Sequence, residues 1–171
     1  MDRQELEQQL DALHADSFAW ALTCCDYRRA DAEDALQTAY VRVLDGTARY
    51  RGEAAFRTWL FGVIRHTASE ERRRWWWRRR ANGNGTQHAA VTAAAATAAD
   101  DMRIELEQEA ARLGAALRTL PRRQREVLEL VFYHELTIAE AGAVMGVSLG
   151  SARTHYERGK KNMQQRLEPP S

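Results

Sequence analysis

Between Ala81 and Asp100 the chain reads ANGNGTQHAAVTAAAATAAD, a Gly/Asn break followed by an Ala/Thr tract without large apolar side chains. Such a segment buries too little surface to offset the entropy of ordering it. It divides the 171 residues into two short pieces, and the 44% hydrophobic content is enough to give them cores. No strand pattern occurs on either side, and apolar residues recur at helical spacing. The expected fold is therefore all-α, with small helical domains over residues 1–80 and 102–168 joined by a flexible linker over 81–101.

In the first piece, Leu6, Leu10, Leu13, Phe18 and Leu22 predict one amphipathic helix over residues 4–25. Asp31 reads as the N-cap of a second, with Asp34 three residues on in the capping-box position and Gly46 near the end. Its inward stripe is Ala35, Leu36, Ala39, Tyr40, Val43 and Leu44. After the loop ARYRG, a third helix is expected from about Glu53, burying Phe56, Trp59, Leu60, Val63 and Ile64 and dissolving into ERRRWWWRRR. Three consecutive indoles cannot share one helix face, so at least one is exposed if the helix continues.

Net charge is only +1, which by itself implies no polyanionic partner, but the distribution is uneven. Residues 1–46 are acidic, and residues 47–80 carry ten arginines against Glu53, Glu70 and Glu71. The two cysteines, Cys24 and Cys25, are adjacent, a poor geometry for a disulfide, which fits a reducing cytoplasm. No apolar run is long enough to span a bilayer, and the start MDRQELEQQL reads as a charged helix rather than a leader. His14, His66, His88, His134 and His155 show no paired ligand spacing, and neither a Gly-rich phosphate loop nor a nucleophile elbow occurs. The sequence therefore predicts no enzyme, metal, cofactor or small-molecule substrate.

In the second piece, helices are expected over Ile104–Thr119, over Arg122–Tyr133 after Pro121, from the cap Thr137 to Gly146, and from the cap Ser148 to about Leu167. Two helices separated by a turn of about three residues, with small Gly142 at their crossing, form a helix-turn-helix pattern. The outward face of the second helix would carry Ser151, Arg153, Thr154, His155, Glu157 and Arg158, with Lys160 and Lys161 farther along. Arginine forks onto guanine acceptors, hydroxyls reach bases or phosphates, and lysines follow the backbone, so this face suits a DNA major groove.

Taken in order, DAEDALQTAYVRVL, RYRGEAAFRTWLFGVIRHTA and LRTLPRRQREVLELVFYHELTIAEAGAVMGVSLGSARTHYERGKKNMQQRL resemble an extracytoplasmic-function (ECF) sigma factor of the sigma-70 family. The resemblance covers nearly all the chain except the linker. It implies a bacterial initiation subunit, without catalysis of its own, that directs RNA polymerase core to particular promoters. By the same resemblance Asp34, Leu36, Gln37, Tyr40, Val41 and Arg42 dock on the polymerase clamp coiled coil.

For the minus-ten element the resemblance implies a flipped base held by Tyr50, Arg51, Gly52 and Glu53, with His66 opposite, where the family commonly has Asn. Arg57, Thr58, Arg65 and the Arg72–Arg74 run would hold phosphates of the melted strand or upstream duplex. The helix-turn-helix face named above would read the minus-thirty-five element, and the Pro121 helix, with Arg122, Arg123 and Arg125, resembles the segment that approaches DNA and the polymerase flap. Such proteins are commonly held by an anti-sigma factor, which would place this cytoplasmic chain at the inner membrane when that partner is anchored there. Two other readings compete: a stand-alone helix-turn-helix regulator, and a sigma-like protein-interaction module that no longer engages promoters.

Overall fold

The computed structural model describes residues 2–82 and 101–167, and the expected linker, apart from its ends, lies outside them. Asp2 caps the first helix, α1 (Arg3–Ala12): its carboxylate accepts from Glu5 N at 2.8 Å, and Glu5 accepts from Asp2 N at 2.9 Å. The single helix expected over 4–25 is two, α1 and α2 (His14–Cys24). The break falls at Leu13, where ψ rises to 5° while the N–H still donates to Gln9 O at 3.2 Å. It lets both Leu10 and Trp20 reach the core.

The second expected helix is α3 (Arg29–Leu44), which begins before Asp31. Asp31 does not cap it; the carboxylate sits in the first turn, paired with Arg28 at 2.9 Å, where the helix dipole also favours it. Ala32, Ala35, Leu36, Ala39 and Val43 are buried, and the three alanines let α3 pack closely against α2 and α4 (Phe56–Asn82). Helix α4 does not dissolve at ERRRWWWRRR but runs on to Asn82, as arginine's helix propensity allows. Among its described residues the last buried one is Ala68.

In the second unit α5 (Asp101–Arg118) leads to α6 (Arg122–Leu128), with Pro121 as its N-cap. Helix α6 widens into a π-helical turn, Glu129–Tyr133, before α7 (Ile138–Met145) and α8 (Leu149–Leu167). No strand occurs among the described residues.

The two units share a core. Trp20 stacks on Phe61 at 5.9 Å and donates its indole N–H to Phe61 O at 3.0 Å, while Leu60 and Ile64 flank it fully buried. Val127, Leu130, Leu136, Ala141, Val144 and Met145 of the second unit join this same cluster. Each large apolar side chain so enclosed contributes about 1.5–3 kcal/mol. His134 enters edge-on between the units, 4.8 Å from Phe61 and 6.0 Å from Trp20.

Polar contacts seal the boundary. Asp26 and Tyr27 both adopt left-handed backbone angles, φ 54° and 59°, strained for residues with side chains. That turn presents the Asp26 carboxylate to Arg125 and lets the Tyr27 hydroxyl donate to Glu129 at 2.7 Å. Arg122 donates to Cys24 O at 3.0 Å, and Glu126, fully buried, receives Arg65 at 3.1 Å and Arg122 at 2.8 Å.

Candidate functional site

The α3–α4 loop turns on Gly46 (φ 81°) and Gly52 (φ 76°), angles that favour glycine. Between them Tyr50 is locked by donating its hydroxyl to Ala54 O at 2.6 Å and by ring contacts to Phe56 and Trp59, each at 5.3 Å. Beside it opens a cavity of about 790 Å³, large enough for a nucleobase. Tyr50, Arg51, Glu53, Thr58 and His66 all line it, so the fold brings together five residues that the sequence reading grouped. Thr58 is nevertheless buried, at 3% exposure, and presents little of its hydroxyl. Gly52 lies on a neighbouring cavity, also bordered by Tyr50 and Arg51.

Three charged residues of this cavity escaped the sequence reading of the pocket: Arg42, Arg49 and Glu70. Arg42 turns inward from α3, donating to Glu70 at 2.5 Å and to Thr67 Oγ1 at 3.3 Å, rather than joining the exposed face of α3. The Arg42 hydrogen bond holds the Glu70 carboxyl below the usual range despite an opposing burial effect. His66 Nδ1 lies 3.8 Å from the same carboxylate. An i, i+4 spacing linked His66 to Glu70 in the sequence, but nothing there pointed Arg42 at them.

Arg57 and Arg65 lie elsewhere. Arg57 pairs with Asp16 at 3.0 Å and covers the Phe61 ring, while Arg65 is tied to Glu126 across the unit boundary. On the opposite face of α3, Asp34, Gln37 and Val41 are exposed, Tyr40 is half-buried, and Leu36 is at 4% exposure. Leu36, Gln37, Tyr40 and Val41 line an open groove of about 400 Å³, completed by Phe18 and Leu44, whose helical phase had suggested only core packing.

The helix-turn-helix is built by α7 and α8. Thr137 caps α7 in a reciprocal pair with Glu140, accepting from its N–H at 3.2 Å and donating its own N–H to the carboxylate at 2.8 Å. The Thr137 hydroxyl, donating to the Glu140 carboxylate at 2.7 Å, and then the Thr137 N–H hold that carboxyl below its usual range. Gly146 ends α7 at φ 64°, and Val147 N–H returns to Gly142 O at 3.0 Å. At the crossing, a Cβ on Gly142 would stand 3.3 Å from both Ala152 Cβ and Val147 O.

Helix α8 buries Ala152, Gly159 and Met163. Ser151, Arg153, Thr154, Glu157, Arg158, Lys160 and Lys161 are exposed and His155 is half-buried, so the expected outward face lies together along one helix. The Thr154 hydroxyl back-donates to Gly150 O at 3.0 Å, and Lys160 lies over the Tyr156 ring. Of the three arginines of the Pro121 helix, Arg122 on Cys24 O and Arg125 on Asp26 face inward, whereas Arg123 is exposed and donates to Met145 O at 3.1 Å. What the second unit does expose is an apolar groove of about 450 Å³ between α5, α8 and the π-helical turn, rimmed by Phe132 and Tyr133 at 64% and 63% exposure.

These features define an all-helical protein with a loop pocket in one unit and a helix-turn-helix in the other. Residues 12–78 match the family model for sigma-70 region 2, and residues 110–163 match that for sigma-70 region 4. The chain belongs to the sigma-70 family and is an extracytoplasmic-function sigma factor. Over 63 residues it is 35% identical to the ECF RNA polymerase sigma factor RpoE of Cereibacter sphaeroides, a match spanning 37% of this chain and 35% of that relative.

Two solved structures share the fold. The sigma factor RpoE in complex with the anti-sigma factor NepR from Bartonella quintana matches with a TM-score of 0.72 at 20% identity, over 96% of this chain and 97% of that one. CnrH in complex with the cytosolic domain of CnrY gives 0.62 at 20% identity, over 99% and 92%. Among the described residues no helix is long and apolar enough to cross a membrane.

Proposed function

We propose that this sigma factor binds RNA polymerase core in the cytoplasm and directs it to promoters, melting the minus-ten element into the α3–α4 pocket and reading the minus-thirty-five element with α8. It has no catalytic role of its own. The observation that carries the reading is the exposed α8 face from Ser151 to Lys161, presented by a helix crossing that a Cβ at Gly142 would crowd. Arg153 and Arg158 supply forked donors for guanine acceptors and phosphates, and Lys160 and Lys161 supply backbone charge.

In the first unit a flipped base enters the cavity, where Tyr50 and Trp59 offer aromatic faces and Arg51, Glu53 and His66 offer polar edges. Unstacking costs a few kcal/mol, which stacking and hydrogen bonding in the pocket offset. Gln37, Tyr40 and Val41 meet the polymerase clamp through the open groove, with Leu36 at its floor and exposed Asp34 outside it; Arg42 serves the base pocket instead. The apolar groove rimmed by Phe132 and Tyr133 suits an amphipathic helix of a protein partner, the polymerase flap or an anti-sigma factor. The Bartonella quintana sigma factor that shares this fold is itself in complex with an anti-sigma factor.

Run-off transcription with bacterial core polymerase on fragmented DNA of the native genome tests this. Specific start sites are expected with the wild-type chain and are expected to vanish with Arg153→Ala plus Arg158→Ala. Binding of core without any specific start site would favour a sigma-like interaction module, and tight sequence-specific binding to duplex without polymerase would favour a stand-alone regulator.

A further inference from the structure

Past Ala68, α4 buries no further residue among those described, yet it carries Trp76 and Trp77 at 52% and 65% exposure among exposed Arg73, Arg74, Arg78 and Arg80. The two indoles meet edge to face at 5.9 Å, and the Arg80 guanidinium lies 5.0 Å from the centre of the Trp76 ring. Residues 72–82 include no acidic side chain. Contiguous exposed aromatic surface of this kind marks an interaction site, and the charge around it calls for an anionic partner.

The helical phase selects among anions. Adjacent residues on a helix diverge by about 100°, so the indoles fan out instead of forming a stripe. A bilayer or a protein groove is met by apolar residues three and four apart. Here the positions three and four residues before the two indoles are Arg72, Arg73 and Arg74, and Arg80 lies four and three residues after them. Each ring is thus bordered along its own face by guanidinium groups. Aromatic faces alternating with cations match a nucleic-acid strand, which alternates base faces with phosphates.

We propose that the Trp76–Trp77 end of α4 is a stacking platform for single-stranded DNA, with bases on the indoles and phosphates on Arg73, Arg74, Arg78 and Arg80. The choice of DNA rests on the pocket reading above, because His66 and Trp77 share one helix, about 16 Å apart along its axis. A strand opened at the pocket continues onto the platform.

The test is fluorescence anisotropy of the full chain with a labelled oligothymidylate about twelve nucleotides long, across a salt series. Trp76→Ala plus Trp77→Ala is expected to weaken binding roughly tenfold or more without changing the salt slope. Arg73→Ala plus Arg78→Ala is expected to flatten that slope by about 0.7 for each phosphate no longer neutralised. Both indoles are exposed, so circular dichroism should match wild type, and the Phe double variant should recover part of the affinity.

Unchanged affinity in the Trp double variant would overturn the platform, as would an equal loss on duplex DNA. Tighter binding of an oligoadenylate RNA than of its DNA counterpart would overturn the assignment to DNA. A blue shift of tryptophan emission on phosphatidylserine vesicles, without oligonucleotide binding, would overturn it in favour of a bilayer. Transcription separates this proposal from the functional reading: loss of oligothymidylate binding in a chain that never initiates keeps the platform and sinks the function. Promoter-specific transcripts with unchanged oligothymidylate affinity in the Trp variant do the reverse.

Discussion

Arg65 on α4 donates to Glu126 on α6 at 3.1 Å, and the carboxylate that receives it is wholly enclosed. The pair joins the two units directly, with Arg122 as the carboxylate's second partner. In this closed arrangement Arg65 is withheld from DNA. In the function proposed above, Arg65 meets DNA only once this pair opens and the units part.

Removing one member of such a buried pair leaves uncompensated charge and costs about 3 kcal/mol. Glu126→Ala is expected to lower the urea midpoint accordingly, and to raise the radius of gyration seen by small-angle scattering. Tyr27→Phe removes only the hydroxyl bond to Glu129 and is expected to shift both in the same direction by less. Unchanged scattering from both variants would show that these contacts do not hold the units closed.

The local elements were legible because their signals are local. Thr137, Gly146 and Ser148 mark helix ends through backbone bonds within a few residues, and each fell where the sequence placed it. Asp31 misled because a carboxylate serves equally as a cap or as a first-turn dipole partner, and Arg28 drew it into the second role. The shared core was not legible. Joining Trp20 and Phe61 to His134 is a contact between residues far apart in the chain, and no periodicity reports it. Arg42 shows the same limit, since its direction is decided by Glu70 on another helix.

Glycine-to-alanine changes should have opposite signs at two helical sites. Gly114 in α5 has nothing within 4 Å of where a Cβ would stand, so alanine there is expected to stabilise by about 0.5–1 kcal/mol through reduced unfolded-state entropy. At Gly142 the same methyl group meets Ala152 Cβ and a backbone oxygen, neither of which can swing aside. A net loss of about 1–2 kcal/mol is expected. Chemical denaturation of both variants checks the contrast, and a stabilised Gly142→Ala would mean that the α7–α8 crossing is looser than described.

The Arg42–Glu70 pair predicts a pH signature. Its hydrogen bond depresses the Glu70 carboxyl in the folded chain, so the stabilisation is present above the unfolded carboxylate range and lost as pH falls through the folded value. Arg42→Met is expected to cost about 1 kcal/mol at neutral pH and progressively less toward pH 3. Equal losses at both ends of that range would assign the effect to packing of the arginine stem instead.

His134 runs in the same direction for a different reason. It is 1% exposed, neither ring nitrogen has a hydrogen-bond partner, and burial, reinforced by the Arg57 charge and opposed by Asp16, lowers its pKa to about 4. In the unfolded chain the imidazole takes a proton near pH 6.5. Between those values the unfolded state binds the proton and the folded state does not, so stability is full above about pH 6.5 and falls as pH drops toward 4, by at most ~1.4 kcal/mol per unit. His134→Leu keeps an apolar group between Trp20 and Phe61 and removes both unpaired nitrogens. It is expected to raise stability by about 1 kcal/mol at neutral pH and to flatten the pH dependence between 6.5 and 4. Urea midpoints for the two proteins at pH 7.5, 6 and 5 decide it: diverging curves place the imidazole neutral at the unit boundary, and parallel curves would mean that it is already hydrated or paired in solution.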